Sequence, residues 1–219
     1  MSKTRRASSA PVPAGRRSQK RDAILVAAKA LFLEHGYAGT SMDAVTERAA
    51  VSKPTVYRYF ASKQELFRAV MESLGAMLGG ILDELDVDAL SLEEALSALA
   101  EPVLTIMLSE KGLAFFRILV EARPIDSQVA RSYHEQVEAP ILRAFTAVLR
   151  AHGRSDADAV RLLDGLRAPV LPLLVGSREP PREAEVAAMA RDAVRAIGPL
   201  DPGLRAARRS PIGDATRKS

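Results

Sequence analysis

Cysteine is absent from this 219-residue chain. The absence excludes a disulfide framework, a thiolate zinc site and a cysteine redox switch. It agrees with a reducing, cytoplasmic location. Long apolar runs are missing too: no stretch approaches the roughly 20 residues that a bilayer-spanning helix needs. The basic N-terminus is not followed by an apolar segment of the kind cleaved from secreted proteins. A soluble cytoplasmic protein with no membrane partner is therefore expected. The only histidines, His35, His134 and His152, are too far apart in sequence to suggest a metal site. No paired acid/base arrangement, nucleophile motif, phosphate loop or cofactor fingerprint occurs, so neither an enzyme nor a bound cofactor or metal is expected. No period of 20–50 residues points to a repeat architecture.

What is present is a chain that is 47% apolar, enough for a substantial core, with an uneven charge. Residues 1–70 carry thirteen Lys and Arg against five Asp and Glu, whereas the remainder carries eighteen against twenty-two. A basic first third on a mildly acidic remainder suggests a polyanionic partner for the first third. Seven of those thirteen cations lie in the first 21 residues, so a solubilising tail explains much of the excess. Residues 1–19 and 199–219, rich in Pro, basic and small residues, read as a disordered basic tail and a loose C-terminal tail.

Between the tails the pattern is helical throughout. Ile24, Ala28, Leu31 and Phe32 recur at helical spacing, and Gly36 ends that helix as a left-handed cap. Thr40 opens the second helix, with Asp43 three residues on. Ser52 caps a short third helix, with Pro54 in its first turn. Ser62 with Glu65 and Ser91 with Glu94 form capping boxes for helices over about 62–85 and 91–109. Further helices are expected at about 112–122, 126–152 (interrupted by Pro140), 156–175 and 182–197. The fold class is thus all-α, about nine helices: an N-terminal three-helix domain over 20–66 and a C-terminal helical domain over 67–198.

Residues 40–60 have the layout of a helix-turn-helix, which needs two short helices, a tight turn and a polar, basic outer face on the second helix. Val45, Ala49, Val51, Val56 and Phe60 would face inward. Lys53, Thr55, Tyr57 and Arg58 would face outward, a set suited to phosphates and base edges. Tyr37, Tyr59 and Phe67 are assigned to the core. The run Gly36–Ser41, then Val51-Ser52-Lys53-Pro54-Thr55-Val56-Tyr57-Arg58-Tyr59-Phe60, then Ser62–Phe67 closely resembles the DNA-binding domain of TetR-family transcriptional regulators over residues 20–70. That resemblance implies a dimer of all-α subunits, a repressor released from its double-stranded DNA operator by a small ligand. It also implies phosphate contacts at Tyr57, Lys63, Thr40 and Ser41, and base-edge candidates at Arg48, Thr55, Lys53 and Arg58. Arg48 has an alternative as an ion-pair partner of Glu47 or Asp43. The sequence departs from the family at Ala50, where glycine is common, and at Thr46, where a small apolar residue is preferred.

In the C-terminal domain a sensor cavity is expected within the helices of residues 66–150. Met71, Met77, Leu78, Leu104, Met107, Phe115, Phe116 and Ile118 would line it, and Arg117, Glu121, Tyr133 or His134 would fix a polar end of an unknown effector. Gly75, Gly79 and Gly80 mark a bend in the fourth helix or a close approach. Two apolar faces are offered to a homodimer as a four-helix bundle: Val160, Leu163, Leu166, Val170, Leu171 and Leu174, and Val186, Met189, Ala190, Ala193 and Ile197. The rival reading is a helix-turn-helix protein without a small-molecule ligand, which predicts no enclosed cavity.

Overall fold

A computed structural model describes residues 14–122 and 126–198, so the predicted tails fall largely outside it. Among the described residues every regular element is helical, and no helix is long and apolar enough to cross a membrane. The helices are α1 (Ala14–Gly39), α2 (Met42–Arg48), α3 (Lys53–Tyr59), α4 (Lys63–Asp83), α5 (Leu92–Leu108), α6 (Glu110–Ala122) and α7 (Ser127–Tyr133). After a π-helical turn, His134–Glu138, come α8 (Ala139–Ala151), α9 (Asp156–Arg167), α10 (Val170–Leu174) and α11 (Glu183–Ala196).

The chain divides into two compact units. One comprises residues up to Ser73 together with Ile118–Ser132, the other Leu74–Arg117 together with the residues from Tyr133 onward. The boundary therefore falls inside α4, seven residues beyond the expected end of the N-terminal domain, and a later segment joins the first unit.

In the first unit, α1 begins at Ala14, five residues before the periodicity suggested. Strong helix formers such as Lys20 and Arg21 continue it, and the Ser18 hydroxyl donates to Asp22 one turn on. The chain breaks at Gly36, whose φ of 70° ends the regular helix as expected. Ile24, Ala28 and Val45 are fully buried with Val56 and Leu66. Phe32, Tyr37 and Phe67 form an aromatic triad with centroids 5.1–5.9 Å apart, two of the three pairs edge-on. Tyr37 also donates a 2.7 Å hydrogen bond to Asp126, tying the first loop to the start of α7. Burial and that bond push the Tyr37 phenol well above its ordinary pKa.

The second unit is built on α5, whose Ser91/Glu94 capping box forms as expected. Leu96, Phe145, Leu149, Leu162 and Leu166 are essentially solvent-free at its centre. Gly75 packs against the backbone of the π-helical turn so closely that a Cβ would sit 1.7 Å from the Gln136 carbonyl oxygen. Gly75 thus serves close packing, and α4 is continuous from Lys63 to Asp83. The interruption predicted at Pro140 lies one turn earlier, in the π-helical turn. Pro140 itself stands in the first turn of α8, where its missing N–H costs nothing. Arg154 and Asp158 form a buried ion pair of 2.8 Å. Arg154 also donates to the carbonyls of Ile197 (2.8 Å) and Gly198 (3.0 Å), fastening the end of α11 to the start of α9.

Candidate nucleic-acid interface

The surface of interest is built on the α2–α3 corner. Ser41, not Thr40, caps α2, accepting from the Ala44 N–H at 3.1 Å. Thr40 is buried and its hydroxyl donates to the Gly36 carbonyl at 2.8 Å. The expected phosphate contact from Thr40 is therefore corrected, because the hydroxyl is spent closing the α1–α2 loop. Helix α2 ends in a Schellman motif: the Ala50 N–H bonds to Glu47 and the Val51 N–H to Thr46. This forces Ala50 into the left-handed region at φ 51°. The Thr46 hydroxyl donates to the Met42 carbonyl one turn back, which accommodates its polarity.

Helix α3 follows immediately. Val56 and Phe60 are buried, and Ala49 and Val51 are half-buried beneath the corner. Lys53, Tyr57 and Arg58 are exposed on the opposite side, Tyr57 to 44%. Tyr57 thus keeps close to half of its surface open to solvent. Thr55 is half-buried and shares a 2.8 Å hydroxyl–hydroxyl bond with Ser52. Arg58 lies over the Tyr59 ring, 5.2 Å from its centroid.

Two exposed ion pairs edge this surface. Arg48 pairs with Glu34 of α1 through both guanidinium nitrogens, one at 2.7 Å, rather than with Glu47 or Asp43. Asp43 instead holds Lys53 at 2.7 Å, with the Lys53 ammonium 6.0 Å from the Tyr57 ring centroid. The bond to Arg48 lowers the Glu34 pKa, and the bond to Asp43 raises that of Lys53.

Lys63 is turned inward. Its ammonium donates to the carbonyls of Tyr37 (2.9 Å) and Thr40 (3.1 Å) and stands 4.6 Å from the Tyr37 ring centroid. One of its three N–H bonds remains for an outside acceptor. Its first role is to fasten the α1–α2 loop.

The predicted effector residues do not converge. Met77, Arg117, Glu121 and His134 are exposed. Met107 is buried in the core of the second unit. Phe116 is half-buried against Tyr133, with centroids 6.0 Å apart. The polar group that lies inside is Tyr133, which burial shifts upward in pKa while Arg167 opposes that shift. Arg167 in turn bonds Glu138 at 2.7 Å. Arg167 and Glu138 were missed in the sequence because they lie 29 positions apart. Likewise Leu163, Leu166, Val170 and Val186, expected at a dimer interface, are buried in the chain's own core. Leu174, Met189 and Ala193 are half-buried, whereas Val160, Leu171 and Val175 stand 50–67% exposed.

Residues 24–70 match the profile described as bacterial regulatory proteins, tetR family, and residues 94–157 match an AefR-like transcriptional repressor, C-terminal domain. The HTH-type transcriptional activator FasR of Mycolicibacterium smegmatis is 43% identical over 56 residues, 26% of each chain. The chain thus matches about a quarter of the length of its curated relatives. Whole-chain similarity is seen with a TetR-family regulator structure from Mesorhizobium loti (TM-score 0.72, 26% identity, 83% of this chain and 96% of that one). It is seen also with the flavonoid-responsive regulator FrrA (TM-score 0.64, 29% identity, 84% and 96%).

The chain belongs to the TetR family. The α2–α3 corner described above lies within the matched family segment.

Proposed function

We propose that this TetR-family chain is a homodimeric repressor that binds an operator in double-stranded DNA and leaves it when a small molecule binds its second unit. The observation that carries the DNA reading is the face of α3. Tyr57, Lys53 and Arg58 are exposed there, on a helix anchored by Val56 and Phe60. Arg58 reaches a duplex without giving up a carboxylate among the described residues, lying instead over the Tyr59 ring. Ser41 supplies a further contact at the positive end of α2. Thr55 and Arg48 lie beside these. In a dimer, two copies of α3 enter successive major grooves about 34 Å apart.

The sign of regulation rests on the C-terminal match to a repressor domain; FasR, an activator, is matched over 56 residues. Ligand release is supported by FrrA, whose description is flavonoid-responsive. Within this chain, the Tyr133–Arg167–Glu138 group beside Phe115 and Phe116 offers a polar anchor. Dimerisation is supported by Val160, Leu171 and Val175, large apolar side chains left open to solvent on α9, on α10 and just beyond it.

The deciding experiment is fluorescence anisotropy with the purified chain. Binding would be titrated on a duplex selected by the wild-type chain from a random library, at several salt concentrations. Tyr57→Ala and Arg58→Ala are each expected to weaken binding at least ten-fold without changing the circular dichroism. Equal affinity of wild type and both variants would remove the DNA reading.

A further inference from the structure

The two cations that lead the reading surface are both held by carboxylates in the free protein. Arg48 is clamped in a fork by Glu34, and Lys53 by Asp43 at 2.7 Å. All four side chains are open to solvent, between 41% and 69% exposed. The fold has little need of these pairs, because α2 and α3 are anchored by the fully buried Val45 and Val56, and exposed pairs contribute little to stability. What an acidic partner does on a DNA-facing surface is compete with phosphate for the cation, and repel the duplex once it has lost that competition. Arg58 is built differently: among the described residues it has an aromatic ring beneath it and no carboxylate within ion-pair distance.

We infer that Glu34 and Asp43 restrain DNA binding by holding Arg48 and Lys53, each of which must leave its carboxylate before it can take a phosphate or a base edge. This rests on the reading of α3 as a DNA-recognition helix. On an arbitrary duplex, each cation gains one phosphate and loses one carboxylate, leaving that carboxylate unpaired beside the backbone. On the operator, Arg48 or Lys53 also gains hydrogen bonds to base edges, where a bidentate contact to guanine outweighs the lost pair. The acidic partners therefore subtract a similar free energy from binding to either duplex.

The test compares Glu34→Gln, Asp43→Asn and the double variant with wild type on a scrambled 30-bp duplex and on the selected operator. Glu47→Gln is the control, because Glu47 is an exposed acid of α2 without an ion pair among the described residues. It removes the same charge without releasing a cation. Each of the two test substitutions is expected to tighten scrambled-DNA binding about two- to five-fold beyond the control. Operator affinity should rise by a similar factor, so the specificity ratio stays nearly unchanged. The inference is overturned if Glu34→Gln and Asp43→Asn behave like Glu47→Gln, or if they weaken both duplexes together, as loss of a merely structural pair would. A wild-type chain that binds neither duplex sinks the DNA reading itself, a separate and recognisable failure.

Discussion

Replacing Ala50 with glycine is expected to stabilise the reading head. Ala50 is the one non-glycine residue with positive φ among the described residues, at 51°. Left-handed backbone costs an L-residue with a Cβ roughly 1–2 kcal/mol. Glycine removes that strain but has a more disordered unfolded chain, which takes back about 0.4–1 kcal/mol. The difference leaves Ala50→Gly more stable by about 1 kcal/mol, or some 2–4 °C for a chain of this size. The same motif at the end of α8, where the Arg154 N–H bonds to Leu149, uses Gly153 at φ 74° and carries no such strain.

The two units need not unfold together, so the probe must report on the head. The chain has no tryptophan, and three of its four tyrosines (Tyr37, Tyr57 and Tyr59) lie in the first unit, so tyrosine emission during urea unfolding serves. Ala50→Val supplies the opposite limb, since a β-branched residue tolerates positive φ least. Opposite shifts for Gly and Val support a strained turn in solution. A glycine variant that is equal to or less stable than wild type, with valine neutral, would refute the left-handed assignment of the turn.

Arg154→Ala leaves the buried Asp158 carboxylate with only the exposed Arg161 (3.2 Å) and the Ser155 hydroxyl, frees two carbonyls at the end of α11, and is expected to cost about 3 kcal/mol in chemical denaturation. Burial alone would raise the Asp158 pKa, but Arg154 and its neighbours hold it below the ordinary carboxylate value. Its contribution is therefore complete above about pH 4 and lost as pH falls through the depressed value, so wild type should show an acid limb that the Arg154→Ala variant has lost. Tyr37→Phe removes the bond to Asp126 and is expected to cost about 1–2 kcal/mol. Because the Tyr37 pKa is raised, wild-type stability from this group is complete below about pH 10 and declines above it, and the phenylalanine variant should lack that alkaline decline. Leu171→Asp, at a 67% exposed leucine of α10, is expected to shift the chain from dimer to monomer in analytical ultracentrifugation while leaving its helicity unchanged; an unchanged dimer would place the interface elsewhere.

Local chemistry was enough to locate the reading corner. The Ser91/Glu94 box, the Gly36 stop, the outward Lys53, Tyr57 and Arg58 and the buried Val56 and Phe60 all follow from interactions within a few residues, which a linear sequence records directly. So does the unusual Ala50 in the turn. What needed the tertiary structure were choices between partners that sequence leaves equal. Arg48 had acids beside it at Asp43 and Glu47 yet pairs with Glu34, 14 positions away, because α1 brings that carboxylate alongside α2. Tyr37 reaches across 89 positions to Asp126. Lys63 turned to two loop carbonyls instead of outward. On α9 and α10, periodicity marked apolar residues on more than one side. It had no means of saying that Leu163 and Leu166 fill the chain's own core while Val160 and Leu171 remain open, since hydrophobic burial depends on area removed from water and not on which surface removes it.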